Sequence, residues 1–98
     1  MTDDDKRAQT KRLQGMREAL GYSEQKTWAE AIGITKTRWW NMETDGSPVS
    51  RDVANKIVKK FPMLSRDYVE AGDTRGLSIE TLRLLGLVPT GGSSVSRD

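Results

Sequence analysis

Apolar side chains recur along this chain at helical rather than strand spacing. Leu13, Met16 and Leu20 stand at i, i+3 and i+7 with charged residues between them, which lines one face of a helix. The pattern predicts a first helix over roughly residues 5–20, with Asp3, Asp4 and Asp5 in or before its first turn, where acids meet the positive end of the helix dipole. Gly21 ends it. A second helix over residues 23–32 opens on Ser23 as N-cap, carries Trp28, Ala29 and Ile32 inward and stops at Gly33. A third, over residues 36–44, opens on Thr35 and turns Trp39 and Met42 inward. Thr44-Asp45-Gly46-Ser47-Pro48 is a loop by its turn chemistry. Ser50 caps a fourth helix, with Val53, Ala54, Ile57, Val58 and Phe61 on one face and Pro62 closing it. Ser65 caps a short fifth helix with Tyr68, Val69 and Ala71 before Gly72, and a sixth amphipathic piece spans residues 78–85. No segment alternates with the period of a strand, and no internal repeat is found. The expected fold class is all-α, five helices around one core plus a sixth, C-terminal helix.

A chain of 98 residues makes one core. Residues 1–11 read as a polar N-terminal extension of the first helix, 12–72 as the main helical domain, 73–89 as a C-terminal helical element, and 90–98, rich in Gly and Ser, as a disordered tail. With 35% hydrophobic against 31% charged residues, that core must be small. No apolar run approaches 18 residues, and the opening stretch is polar and acidic, so neither a membrane span nor a secretory signal is expected and the chain is placed in the cytoplasm. Cysteine and histidine are both absent, which removes disulfides, cysteine-ligated metals, the commonest general base and the commonest zinc ligand. Carboxylates are scattered and no glycine-rich phosphate loop occurs, so the sequence is not read as an enzyme, and no cofactor, metal or small-molecule ligand is expected.

The net charge of +2 says little by itself. Its distribution says more: Lys36, Arg38, Arg51, Lys56, Lys59 and Lys60 fall within residues 36–60, against only Glu43, Asp45 and Asp52. Such a middle suits contact with nucleic acid, and equally a solvated helix face. Lys56, Lys59 and Lys60 fit the solvated face better.

The informative stretch runs from Gln25 to Met42. Two short helices joined by a connection containing Gly33 must cross steeply, which requires a small residue where the backbones approach, here Ala29. Trp28, Ile32, Ile34, Trp39 and Met42 bury the corner. What remains outside on the second helix of the pair is Lys36, Thr37, Arg38, Trp40 and Asn41, cationic and hydrogen-bonding groups of the kind that reach base edges from a helix in the major groove.

At these residues the chain resembles the lambda-repressor-like (Cro, phage repressor, XRE-type) helix-turn-helix family. Ala29, Ile32-Gly33-Ile34, Trp39 and Met42 carry the spacing, followed by Glu43, by Pro48 and Ser50, and by Ser65-Arg66-Asp67-Tyr68-Val69, so the resemblance covers roughly residues 12–72. It implies a bacterial or phage regulator of transcription, by default a repressor, that binds double-stranded DNA at an inverted-repeat operator as a homodimer. The third helix becomes the recognition helix, with Lys36, Thr37, Arg38, Trp40 and Asn41 toward bases and Gln25, Thr44 and Arg51 toward phosphates. Arg17 and Glu43 fall where relatives hold an ion pair between first and third helices, a contact that positions the recognition helix. The link Gly21-Tyr22-Ser23-Glu24 is one residue longer than usual, which leaves Ser23 or Glu24 as alternative helix starts, and Glu24 and Asp45 place negative charge near the expected phosphate track.

Trp40 is unusual at such a position. Packing on a thymine methyl or sugar, membership of a protein interface, and partial burial against the loop all stay open for it. Leu77, Ile79, Leu82, Leu84, Leu85, Leu87 and Val88 are many apolar groups for one terminal element; Leu77, Ile79, Leu82 and Leu85 are the candidate dimer interface, with packing onto the chain's own core as the other reading. A function of a different class also fits, a protein-interaction module such as an anti-activator or an antitoxin.

Overall fold

Four helices begin where a hydroxyl accepts a hydrogen bond from the backbone three residues on. Thr35 accepts from Arg38, Ser50 from Val53, Ser65 from Tyr68 and Ser78 from Thr81. Each satisfies one of the donors that a helix start leaves without a partner. The computed structural model describes residues 3–87, and over these it is all-helical: α1 (Asp3–Ala19), α2 (Gln25–Ile32), α3 (Lys36–Glu43), α4 (Arg51–Lys60), α5 (Arg66–Ala71) and α6 (Ile79–Leu84). Val88, Pro89 and the tail 90–98 lie outside the described residues. No described helix is long and apolar enough to cross a membrane.

The start of α2 departs from expectation. Glu24, extended at φ −114° and ψ 138°, is the N-cap, and no side chain caps the helix; Ser23 does not serve. The cause lies upstream. The turn after α1 is fixed by hydrogen bonds from Gly21 N–H to Glu18 and from Tyr22 N–H to Arg17. It delivers the Tyr22 ring edge-on to Trp28 at 5.4 Å and to Phe61 at 6.3 Å. With Tyr22 drawn into that cluster, the chain spends Ser23 on reaching the helix.

The core gathers Leu13 and Met16 from α1, Trp28, Ala29 and Ile32 from α2, Trp39 and Met42 from α3, Val53, Ala54 and Ile57 from α4, and Leu64, Tyr68 and Val69 from the α5 region. Its middle is aromatic: Trp28 meets Trp39 edge-to-face at 5.4 Å and stacks on Phe61 at 5.5 Å, arrangements worth about 0.5–1.5 kcal/mol each beyond burial. Ile34, Val58 and Phe61 are only partly buried, at the margin of this cluster. Ala29 is fully buried between α2 and its neighbours. Ala29→Leu should therefore lower stability by about 1–3 kcal/mol through overpacking, measured as a fall in the thermal midpoint; an unchanged midpoint would mean the helices have slack there.

Residues 3–11, expected as a polar extension, belong to α1 and are partly structural. Gln9 is 2% exposed. The 44–48 loop closes against the same end of α1: at Gly46, where φ is +77°, an added Cβ would lie 2.8 Å from the Lys6 Cβ. Both the backbone conformation and the space there call for glycine.

The four candidate interface residues of the C-terminal element do not share one face. Leu77 and Leu85 are partly buried against the chain's own core, with Thr81 buried between them in sequence. Thr81 and Leu85 are one helical turn apart, so the period of α6 turns them inward together, and Leu77 packs inward from just before the helix. Leu82 is half-buried, and Ile79 is 51% exposed together with Leu84 and Leu87. Leu77 and Leu85 are thus taken up internally.

Candidate functional site

α3 is eight residues long and has two contrasting sides. Trp39, Met42 and Glu43 are buried, whereas Lys36, Thr37, Arg38, Trp40, Asn41 and Thr44 are exposed. Within this exposed set Lys36, Thr37, Trp40, Asn41 and Thr44 follow i, i+1, i+4, i+5 and i+8, a row down one face of the helix, with Arg38 exposed at its flank. Two connections hold this row in place. At its start, Gly33 takes a left-handed φ of +86°, and its N–H and that of Ile34 return to the Ala29 carbonyl, so the chain reverses within Gly33-Ile34-Thr35. At its end, a buried polar cluster ties α3 to α1 and α2.

Glu43 is the centre of that cluster. Arg17 donates through Nε to Oε1 at 2.8 Å and through Nη2 to Oε2 at 3.3 Å, and its Nη1 donates to the Tyr22 carbonyl at 2.8 Å. The Trp39 indole donates to Oε1 at 2.8 Å and the Gln25 amide to Oε2 at 2.6 Å. Both charged side chains are only 6% exposed. Burial by itself would push the Glu43 carboxyl up. The hydrogen bonds from Arg17, Gln25 and Trp39, with the Arg17 charge, outweigh it and hold the group below its ordinary value. The Glu43 carboxylate is therefore held in its charged form, and the contact fixes the roll of α3 about its own axis.

The cluster also engages Gln25. Both donors of its amide group are spent, one on Glu43 and one on Thr44 Oγ1 at 3.2 Å, because a buried carboxylate requires several donors. In this arrangement its amide serves Glu43 and Thr44, while the backbone N–H groups of the uncapped α2 start carry no side-chain cap. Thr44 accepts from Gln25 and keeps its own hydroxyl proton to donate.

Arg38 is engaged as well. It lies one position off the exposed row, and its guanidinium donates to Asp52 at 3.4 Å and to Ser50 Oγ at 3.2 Å, at the start of α4. The pair is solvent-exposed, with the Arg38 side chain 47% exposed, and exposed pairs of this kind are weak. Arg51, the first residue of α4, is exposed beside this pair. Of the three acids in the basic middle, Glu43 and Asp52 are thus occupied by arginines, and Asp45 is exposed. Lys56, Lys59 and Lys60 line a separate open recess with Ala31 and Ile32.

Gln9 is a positioning residue the sequence reading passed over. Its amide donates to the Met42 carbonyl at 3.0 Å and to the Ser47 carbonyl at 2.6 Å, satisfying acceptors at the end of α3. The signal was present: Gln9, Leu13 and Met16 stand at i, i+4 and i+7, so Gln9 extends the apolar stripe by one turn. A recess of about 440 Å³ lies between α1, the α5 region and the residues after α6, lined by Ala8, Lys11, Gly15, Met16, Tyr68 and Leu85 among others, and shares no residue with the α3 row. Among the described residues no cluster of acids could hold a metal ion. Compared with family models, with curated proteins and with solved structures, the chain finds no match.

Proposed function

We propose that this protein is a lambda-repressor-like helix-turn-helix regulator that binds double-stranded DNA in a sequence-specific manner, with α3 as its recognition helix. One observation carries the reading: the exposed row Lys36, Thr37, Trp40, Asn41 and Thr44 stands on a helix whose opposite side is locked into the core by Trp39, Met42 and the Arg17–Glu43 pair. Rigidly held cationic and amide groups on an outward helix suit the major groove, where lysine pairs with guanine acceptors and asparagine with adenine. The α2 start, with no side-chain cap, and Arg51 at the α4 start suit phosphates.

A homodimer would place two such helices in successive major grooves about 34 Å apart on an inverted repeat. By occupying a promoter it would act most simply as a repressor. Its apolar contact would draw on Ile79, Leu84 and Leu87, since Leu77 and Leu85 face their own core. Those same exposed groups favour a second reading, a protein-interaction module. The two readings separate by salt. Binding through phosphates falls linearly with log salt, with a slope of about −0.9 per phosphate contacted, whereas an apolar contact shows no such slope.

The test is selection of bound duplexes from a random pool at two salt concentrations, followed by Lys36→Ala and Asn41→Ala. Each variant should lose about 1–3 kcal/mol of affinity for the selected site while its thermal midpoint stays near wild type, because both side chains are exposed. Full affinity in both variants would move base readout away from α3.

A further inference from the structure

Trp40 is the one large apolar side chain in the exposed row of α3, at 44% exposure. Its companion Trp39 is fully buried and hydrogen-bonded to Glu43. Trp40 takes no part in the aromatic cluster of Tyr22, Trp28, Trp39 and Phe61, so the fold itself gives no account of it. Side chains on a helix lean toward its N-terminus, which brings the indole back over the preceding turn. There Lys36 and Thr37, at i−4 and i−3, join it in lining an open notch of about 210 Å³. The lining of the notch is mostly apolar, and Lys36 brings a positive charge to it.

We propose that this notch receives the 5-methyl group of a thymine, and that Trp40 is a specificity-determining residue that separates thymine from cytosine at one position of the site. The proposal rests on the DNA-binding reading. Among the groups that base pairs present in the major groove, only the thymine methyl is apolar, and it is the natural occupant of an apolar recess in an otherwise polar row. A methyl group is close in size to a water, whose share of liquid volume is about 30 Å³, so the notch takes the methyl together with the C5 edge of its ring. A lysine among the lining residues favours a polyanion over an apolar protein segment.

The test uses the full chain and a duplex selected by it. Each thymine is replaced in turn by deoxyuridine, which removes only the methyl, and affinity is measured for wild type and Trp40→Ala. At one thymine per half-site, uracil should weaken wild-type binding about four-fold, the worth of one buried methyl at about 0.8 kcal/mol. The same substitution should leave Trp40→Ala unchanged. The thermal midpoint of the variant should match wild type, since Trp40 is exposed. Should wild type tolerate uracil at every position, or Trp40→Ala keep the full penalty, the notch proposal is overturned while the DNA-binding reading stands. Should wild type select no duplex at low salt, the DNA-binding reading fails and the notch with it.

Discussion

Glu43→Ala should cost about 3–5 kcal/mol of folding free energy, the loss expected when one partner of a buried ion pair is removed and the other is left uncompensated. The variant strands Arg17, 5% exposed, and deprives the Trp39 indole and the Gln25 amide of their acceptor. For a domain whose total stability is about 5–15 kcal/mol, the thermal midpoint should fall by roughly 20 °C. Replacing both charges, as Arg17→Met with Glu43→Leu, should recover part of this, because the pair's attraction largely offsets its own desolvation. Recovery should be incomplete, since the Trp39 indole remains without an acceptor. A single variant as stable as wild type would show that the pair does not hold α3.

The same carboxylate predicts the acid limb of stability. Its folded value lies below its ordinary 4.5. Its contribution is therefore complete above the unfolded value and is lost as pH falls through the lower, folded one. Wild type should lose stability on acidification below the ordinary glutamate range more steeply than Glu43→Gln, which has no such proton to bind. Parallel acid limbs in the two proteins would remove Glu43 as the cause.

Trp39→Ala should be comparably damaging, at about 3–5 kcal/mol for a buried aromatic replaced by a methyl group. The side chain is fully buried, packs edge-to-face on Trp28 and donates to Glu43, so its loss opens the core and weakens the polar cluster together. A finer comparison separates the two effects. Trp28 is equally buried, but its indole Nε1 has no hydrogen-bond partner among the described residues. Trp39→Phe surrenders volume and a hydrogen bond, whereas Trp28→Phe surrenders volume and removes an unsatisfied donor. Trp39→Phe should be the more destabilising by about 1–3 kcal/mol, read from urea midpoints at equal slope. Equal losses would mean the Trp39–Glu43 bond contributes nothing net.

Much of the helix layout was legible in the sequence because its signals are local. Thr35, Ser50 and Ser65 each cap through a backbone group three residues away, and Gly33 and Gly72 end α2 and α5 in the left-handed region. Trp28, Ala29, Ile32, Trp39 and Met42 could be assigned to the interior from spacing alone, since a helix has only one apolar side to bury. The exposed row of α3 followed as the complement of that set. Ser23 was the exception among the caps: its place was taken by Glu24 once Tyr22 joined Trp28 and Phe61, a contact that no local rule contains.

Where the long polar side chains end was decided by tertiary structure. Gln25 could serve a phosphate or a neighbour, and the arrival of Glu43, 18 residues on, assigned its amide. Arg38 and Asp52 are 14 residues apart and meet only because α3 and α4 begin side by side. Gln9 reaches Met42 and Ser47 across more than 30 positions. Sequence by itself fixed which residues form helices and which faces are apolar, since backbone capping and hydrophobic periodicity act over a few residues. The destinations of flexible charged and amide groups depend on which distant elements are brought within about 3 Å, and packing alone settles that.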